Sequence, residues 1–283
     1  SICYDIDTEV MQMKKMLSVM LAAVMLAILI CIPVHAGNRQ IPVYIGNTTV
    51  EGVLIEDTTF VPFDTFCYAM GADSVTWDPK TNVVSASCRG IVIESKEGVS
   101  YIEANGRCFY TGPYCRPIDG MLYVPVRPLA KAFDAEVIWN GDNYSVQIID
   151  GGGVCESGDS YYWDGAVMWL SRIIYAEANT EPMLGKIAVG NVIMNRVDSP
   201  EFPNTIYSVI FDRKYGVQFT PVANGSIYNS ANAECERAAK MVLEGTSVDN
   251  EVLYFMNAAA ASNLWVKNNR EYRFSIGSHS FYK

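Results

Sequence analysis

Apolar and polar positions change rhythm twice along the chain. Between Gly37 and Asp150 the rhythm has period two: Ile41, Val43 and Ile45 alternate, as do Val83 to Ala86, Ile91 to Glu94 and Ser145 to Ile149. That pattern predicts short strands buried on one face. From Asp164 the period becomes helical, with Val167, Leu170, Ile174 and Ala178 on one stripe. A helix is predicted there, capped by Asp164 and ending at Asn179-Thr180. A second helix is predicted with Thr180 as its cap, Pro182 in its first turn and Leu184, Ile187, Val189, Met194 and Val197 along it. Beyond it the pattern gives a short helix in FPNTIYSVIF and an extended stretch with turns in GVQFTPVANG. A helix from about Ser230 to Glu244, stopped by Gly245, follows, then a strand from Val252 to Met256 and a closing segment from Arg273 to Tyr282.

Between the two rhythms, DGGGVCESG at residues 150–158 reads as a flexible connection. At the other end, Lys14-Lys15 precede an apolar run from Met16 to Ile32, then Pro33 and the small-residue site Val34-His35-Ala36. This predicts a secretory signal peptide cut after Ala36, the alternative being an uncleaved anchor at the lower edge of spanning length. The expected organisation is upstream residues and signal peptide at 1–36, a β-rich module at 37–150, a linker at 151–163 and a mainly helical α+β domain at 164–283.

The β-rich module repeats itself. Phe60-Val61-Pro62-Phe63 is followed by Phe66, Ala69, Gly71, Ala72, Val75 and Trp77, and Tyr123-Val124-Pro125-Val126 by Leu129, Ala132, Asp134, Ala135, Val137 and Trp139. The offset is 63 residues, falling to 62 after one gap. Each unit is expected to be a strand, a short helix and a Trp-bearing strand, the helix too short to stand without a sheet beneath it. The Val-Pro pairs, small residues and tryptophans resemble the copper amine oxidase N-terminal (stalk-like) domain. No copper chemistry is expected from it, because copper calls for imidazoles and residues 37–150 contain none.

Composition narrows the chemistry. With 50% hydrophobic and 18% charged residues the chain has the makings of a core. A net charge of −10 and the lack of any basic cluster argue against nucleic acid as a partner. Of two histidines, His35 lies in the signal segment and His279 remains; no metal site and no cofactor are expected. Six cysteines follow Ala36, an even number that in an exported chain favours disulfides; spacing does not choose among the connectivities, Cys108–Cys115 being the local pair expected, with Cys67–Cys88 and Cys155–Cys235 following, and reduced thiols in an exporter living without oxygen the alternative.

One carboxylate stands out. Glu177 lies at the far end of an apolar helical run, where the negative end of the helix dipole and apolar neighbours both raise its pKa, as a general acid near neutral pH requires. The other reading of that spacing is an ordinary exposed acid. Glu181 reads as a first-turn acid favoured by the dipole, and Asn191, Asn195 and Arg196 as either site support or a buried polar network.

Six blocks in order, AEANTEP, GKIAVGNVIMNRV, FPNTIYSVI, QFTPV, LYFMNA and IGSHSFY, resemble the SleB-type cell wall hydrolase family, which includes spore cortex-lytic enzymes. The resemblance runs from about Val167 to Tyr282, with Asn179-Thr180 where the family more often has Arg-Gly. It implies a lysozyme-like catalytic domain acting on peptidoglycan glycan strands, with Glu177 matching the catalytic glutamate. Two carboxylates serve an ordinary glycosidase. A lytic transglycosylase needs one, because the muramic C6 hydroxyl attacks C1 and leaves a 1,6-anhydro end. On this reading Gln218, Thr220, Tyr254 and Asn257 would bond acetamido groups or support the intermediate, Trp265 and Tyr272 would stack on sugars, and His279 would orient substrate or Glu177; the alternative is strand-end or core packing for the first six and a structural hydrogen bond for His279. Hydrolysis by a muramidase using Glu181 or another acid, and a wall-binding protein without catalysis, are the competing expectations. The protein is expected outside the cell or at the wall, in a vegetative or spore setting.

Overall fold

The computed structural model describes residues 39–257 and 264–283. The signal-peptide reading, with Cys3, Cys31 and His35, lies outside the described residues. The architecture is α+β, a β-rich N-terminal half followed by a mainly helical C-terminal half. No helix among the described residues is long and apolar enough to cross a membrane.

The N-terminal half begins with β1 (Arg39–Ile45), β2 (Thr48–Ile55), β3 (Thr58–Pro62) and α1 (Phe63–Ala69), then β4 (Ser74–Asp78), β5 (Val83–Cys88), β6 (Ile91–Lys96), β7 (Tyr101–Ala104) and β8 (Arg107–Tyr110). It closes with β9 (Arg116–Ile118), β10 (Met121–Pro125), α2 (Val126–Ala132), β11 (Glu136–Asn140) and β12 (Ser145–Ile149). A seven-stranded sheet runs β11-β12-β1-β2-β3-β10-β9, and a five-stranded sheet β4-β5-β6-β7-β8. The expected strand–helix–strand repeat is present twice. Its two copies meet head on, β3 pairing antiparallel with β10 so that Val61 faces Val124, the equivalent residue of the other copy. Pro62 and Pro125 start the helices, since each holds φ near −60° and needs no amide partner at a sheet–helix junction. Both helices stop at the same place: Gly71 and Asp134, 63 residues apart, each take a positive φ.

In the C-terminal half, α3 (Gly158–Tyr161) precedes α4 (Ala166–Ala178), α5 (Met183–Asp198), α6 (Ile206–Ile210), α7 (Thr220–Asn224), α8 (Ala233–Leu243), β13 (Tyr254–Met256), α9 (Trp265–Asn269), β14 (Tyr272–Ile276) and β15 (His279–Tyr282). The last three strands form a sheet of order β13-β15-β14. Helices α4, α5 and α8 enclose the core around Leu170, Ile174, Ile187, Val189, Ala238 and Met241. They approach closely at Gly190, where a Cβ would sit 2.9 Å from Val242 Cγ2 and 3.1 Å from Ile174 Cδ1.

Several local expectations are corrected. Gly165, with φ 76°, caps α4 in place of Asp164, and Pro182 caps α5 in place of Thr180. The stretch expected to be extended holds the short helix α7, with Pro221 in its first turn. All six described cysteines are free thiols. Cys108 and Cys115 belong to different cores, so the local pair expected from their spacing is not formed.

The segment read as a flexible connection is held in place. Asn105 Nδ2 donates to Cys155 O at 2.8 Å, Gly158 N donates to Asn105 O at 2.8 Å, and a Cβ on Gly158 would meet Gly106 O at 2.6 Å. Beside it Arg107 of β8 gives Glu244 a two-pronged bond at 2.7 and 2.6 Å, and Tyr162 Oη donates to the same carboxylate at 2.9 Å. The Glu244 side chain is only 2% exposed, so this ion pair is desolvated and geometrically specific.

Candidate active site

Glu177 lies one residue before the end of α4, whose inner stripe of Leu170, Ile173, Ile174 and Ala178 is buried. Burial pushes its carboxyl up to about 7, and among the described residues no side chain or amide hydrogen-bonds to it. It is therefore a half-buried acid that keeps its proton near neutrality and has no acceptor for it among the described residues.

Four residues on, Glu181 is its opposite. It is buried and engaged, accepting the Ser278 N–H at 3.0 Å and the Ser278 hydroxyl, with His279 Nδ1 3.4 Å away but poorly aligned. Burial alone would raise its pKa; the two Ser278 bonds and His279 outweigh that and hold the carboxyl below its usual value. The expectation of a first-turn acid is corrected, because Glu181 lies before the Pro182 cap of α5 and is held by the β14–β15 hairpin. The hairpin turn is Gly277, φ 57°, where a Cβ would fall 1.7 Å from Glu181 Oε2. Lys186, 2% exposed, adds a fourth tie by donating Nζ to Glu181 O at 2.5 Å. The turn carrying Glu177 is thus pinned from the last hairpin of the chain.

Of the sequence-selected residues, His279 meets this clamp, and the others have their described contacts elsewhere. His279 is buried, edge-on to Phe255 at 5.4 Å, and its pKa is lowered by burial against the pull of Glu181, which leaves it neutral at pH 7. It faces Glu181. Tyr254 is half-buried on β13, its ring under Arg270 at 4.5 Å and Arg196 at 5.3 Å. Asn257 follows the same strand, half-buried. Gln218 precedes α7 and donates Nε2 to Gly216 O at 3.0 Å, and Thr220 is exposed as the first residue of α7. Trp265 opens α9, with Arg270 over its ring at 5.3 Å, and Tyr272 is exposed at the start of β14. Asn191, Asn195 and Arg196 form the buried network: Asn191 Nδ2 donates to Thr246 O, Asn195 Nδ2 to Val252 O and Arg196 Nε to Leu253 O, each at 2.7–2.8 Å. They fix the strand entering the site.

Sequence reasoning missed the partners of Glu181, and Lys186. It also missed an aromatic surface on α4, where Trp169 meets Tyr207 at 5.2 Å, Phe211 at 5.3 Å and Tyr228 at 6.3 Å. Tyr207 and Tyr228 are more than half exposed. The signal available was the helical offset from Trp169 to Glu177, eight residues or about 12 Å along one helix.

The family model for cell wall hydrolases matches residues 180–282, and that for the copper amine oxidase N-terminal domain matches residues 39–148. Residues 180–282 are a cell wall hydrolase domain. The spore cortex-lytic enzyme of Bacillus cereus is 26% identical over 234 residues, covering 71% of this chain and 89% of that protein. Its Bacillus subtilis counterpart is 36% identical over 112 residues, 40% of this chain and 35% of that one. Among solved structures, the catalytic domain of the germination-specific lytic transglycosylase SleB from Bacillus anthracis is 35% identical, covering 43% of this chain and 97% of that chain with a TM-score of 0.40. Within the hydrolase domain the family match takes in Glu181, Lys186 and the closing hairpin, and it starts three residues after Glu177. Among the described residues no group of three or more His, Cys, Asp or Glu is placed to hold a metal ion.

Proposed function

We propose that this peptidoglycan-degrading hydrolase is a lytic transglycosylase and that Glu177 is its single catalytic carboxylate. Glu177 gives its proton to the glycosidic oxygen between N-acetylmuramic acid and N-acetylglucosamine, the C1–O bond breaks, and the muramic C6 hydroxyl closes on C1. Glu177 then takes the C6 hydroxyl proton, so one residue serves as acid and base and the product carries a 1,6-anhydro end. The observation that carries this reading is the contrast between two neighbouring acids. Glu177 has no hydrogen-bonding partner among the described residues and a carboxyl near 7, suited to deliver a proton at neutral pH, whereas Glu181 is ionised and its oxygens are committed to Ser278. A muramidase using Glu181 as base or nucleophile would first have to undo that clamp.

In this proposal Gln218, Thr220, Tyr254 and Asn257 contact acetamido groups and Trp265 offers a stacking face, while His279 acts through Glu181. The domain limits proposed are 37–150, 151–163 and 164–283, a division that the internal repeat and the change of hydrophobic period support. The protein is exported by the segment ending at Ala36 and works at the wall or spore cortex. Mass spectrometry of muropeptides released from purified sacculi tests the chemistry. Anhydro ends that disappear with Glu177→Gln are expected; reducing ends from the parent protein, or unchanged release by the variant, would overturn it.

A further inference from the structure

The internal repeat gives the N-terminal domain two equivalent clefts. One, of about 530 Å³, is lined by Phe63, Asp64, Val75, Trp77 and Val84. The other, of about 460 Å³, is lined by Val126, Arg127, Val137, Trp139 and Val146. Each residue of the second set lies 62 or 63 positions after its counterpart, so the same pieces of the repeat build both: the first turn of the helix after the Val-Pro pair, the Trp-bearing strand and the strand beside it. Strands β4 and β11, which carry the tryptophans, each end a sheet. Trp77 is 61% exposed and Trp139 38%. A large apolar ring standing in water on an edge strand gives up burial energy and invites association, so its presence in both copies calls for a ligand.

The differences between the clefts define that ligand. Asp64 in the first stands where Arg127 stands in the second, and Glu97 and Asp57 add acids to the respective rims. An anion would meet Arg127 in the second cleft but two acids in the first, and a cation two acids in the first but Arg127 in the second, so no single charged ligand suits both equally. What both offer is an indole face, a valine wall and polar groups at the rim, which fits a neutral ring with an apolar face and hydroxyl or amide edges. We infer that both clefts bind N-acetylhexosamine units of the peptidoglycan glycan, so that the N-terminal domain is a two-site glycan holder for the polymer its neighbour cuts. The identity of the polymer rests on the cell wall hydrolase family of the C-terminal half, and the binding does not depend on how that half breaks the bond.

The test uses the full chain carrying Glu177→Gln, so that glycan is bound without being cleaved. Two probes are titrated: purified sacculi stripped of secondary polymers, by co-sedimentation, and the soluble β-1,4-linked N-acetylglucosamine hexamer, by calorimetry. Replacing one exposed aromatic anchor, Trp77→Ala or Trp139→Ala, is expected to weaken binding to sacculi about tenfold. The double variant is expected to lose more than either because bivalent attachment to one polymer is gone. Trp77→Tyr, which keeps a ring face, retains most of the binding, and unchanged circular dichroism and melting establish that the variants are folded. In the otherwise active chain the double variant still releases muropeptides from short soluble glycan at the parent rate, so loss of holding is distinguished from loss of cleavage. Equal binding of sacculi and hexamer by the double variant and the parent overturns the proposal. So does binding that requires unstripped sacculi, which would assign the clefts to a secondary wall polymer.

Discussion

Replacing Glu177 by Gln should abolish glycan cleavage and at the same time make the protein more stable above neutral pH. The magnitude comes from the burial of the carboxyl. Its pKa rises from an ordinary 4.5 to about 7, and that difference corresponds to about 3 kcal/mol favouring the protonated form in the fold. The sign follows from which state holds the proton. Below pH 4.5 the residue is protonated folded or unfolded and costs nothing. Between 4.5 and about 7 the unfolded chain releases its proton while the fold retains it, so wild type loses stability with rising pH. Above about 7 the loss is complete. Glutamine has no such titration, and the gap between the variant and wild type should widen by about 3 kcal/mol from pH 4 to pH 8. For a protein of this size that is about 6–12 °C in Tm. Urea melts at the two pH values, read beside muropeptide release, measure it. A gap that is constant with pH would refute the claim that Glu177 is held in a desolvated state, whatever the activity shows.

Three further outcomes follow from the clamp and the interface. Gly277→Ala should destabilise by about 2–4 kcal/mol in urea melts, because a Cβ there collides with Glu181 Oε2 and the φ of 57° disfavours a side chain; a loss under about 0.5 kcal/mol would contradict the role of this turn as a clamp. Glu181→Gln should remove a stabilisation that wild type has above the ordinary carboxylate range and loses as pH falls through the depressed value, so the two proteins converge in acid, while kcat falls as Glu177 loses its support. Parallel pH–stability curves would count against it. Arg107→Ala leaves Glu244 buried and uncompensated and should cost about 3–5 kcal/mol, seen as proteolysis within residues 151–163 that the parent resists; equal resistance of the two proteins would refute that assignment.

The sequence by itself determined the pieces whose causes are local. Period two and period 3.6 separated the halves, and the Val-Pro pairs fixed two strand-to-helix junctions because proline constrains its own φ and the residue before it. The same local logic placed Glu177 on the last turn of an apolar helix. It failed at the caps, where Gly165 and Pro182 took roles given to Asp164 and Thr180. What only the tertiary structure decided depends on residues far apart in the chain. Glu181 meets Ser278 across 97 positions and Arg107 meets Glu244 across 137. Neither spacing leaves a periodic trace, so an acid that looks like a dipole-favoured first-turn residue becomes a clamp, and a glycine-rich linker becomes a docked joint. The cysteines show the same limit: their count suggested pairing, yet the fold sends Cys108 and Cys115 into separate cores. Local pattern specifies which face of an element is buried. Only the assembled chain specifies what that face meets, and at Glu177 it is the desolvation imposed by those surroundings that raises the carboxyl's pKa to about 7.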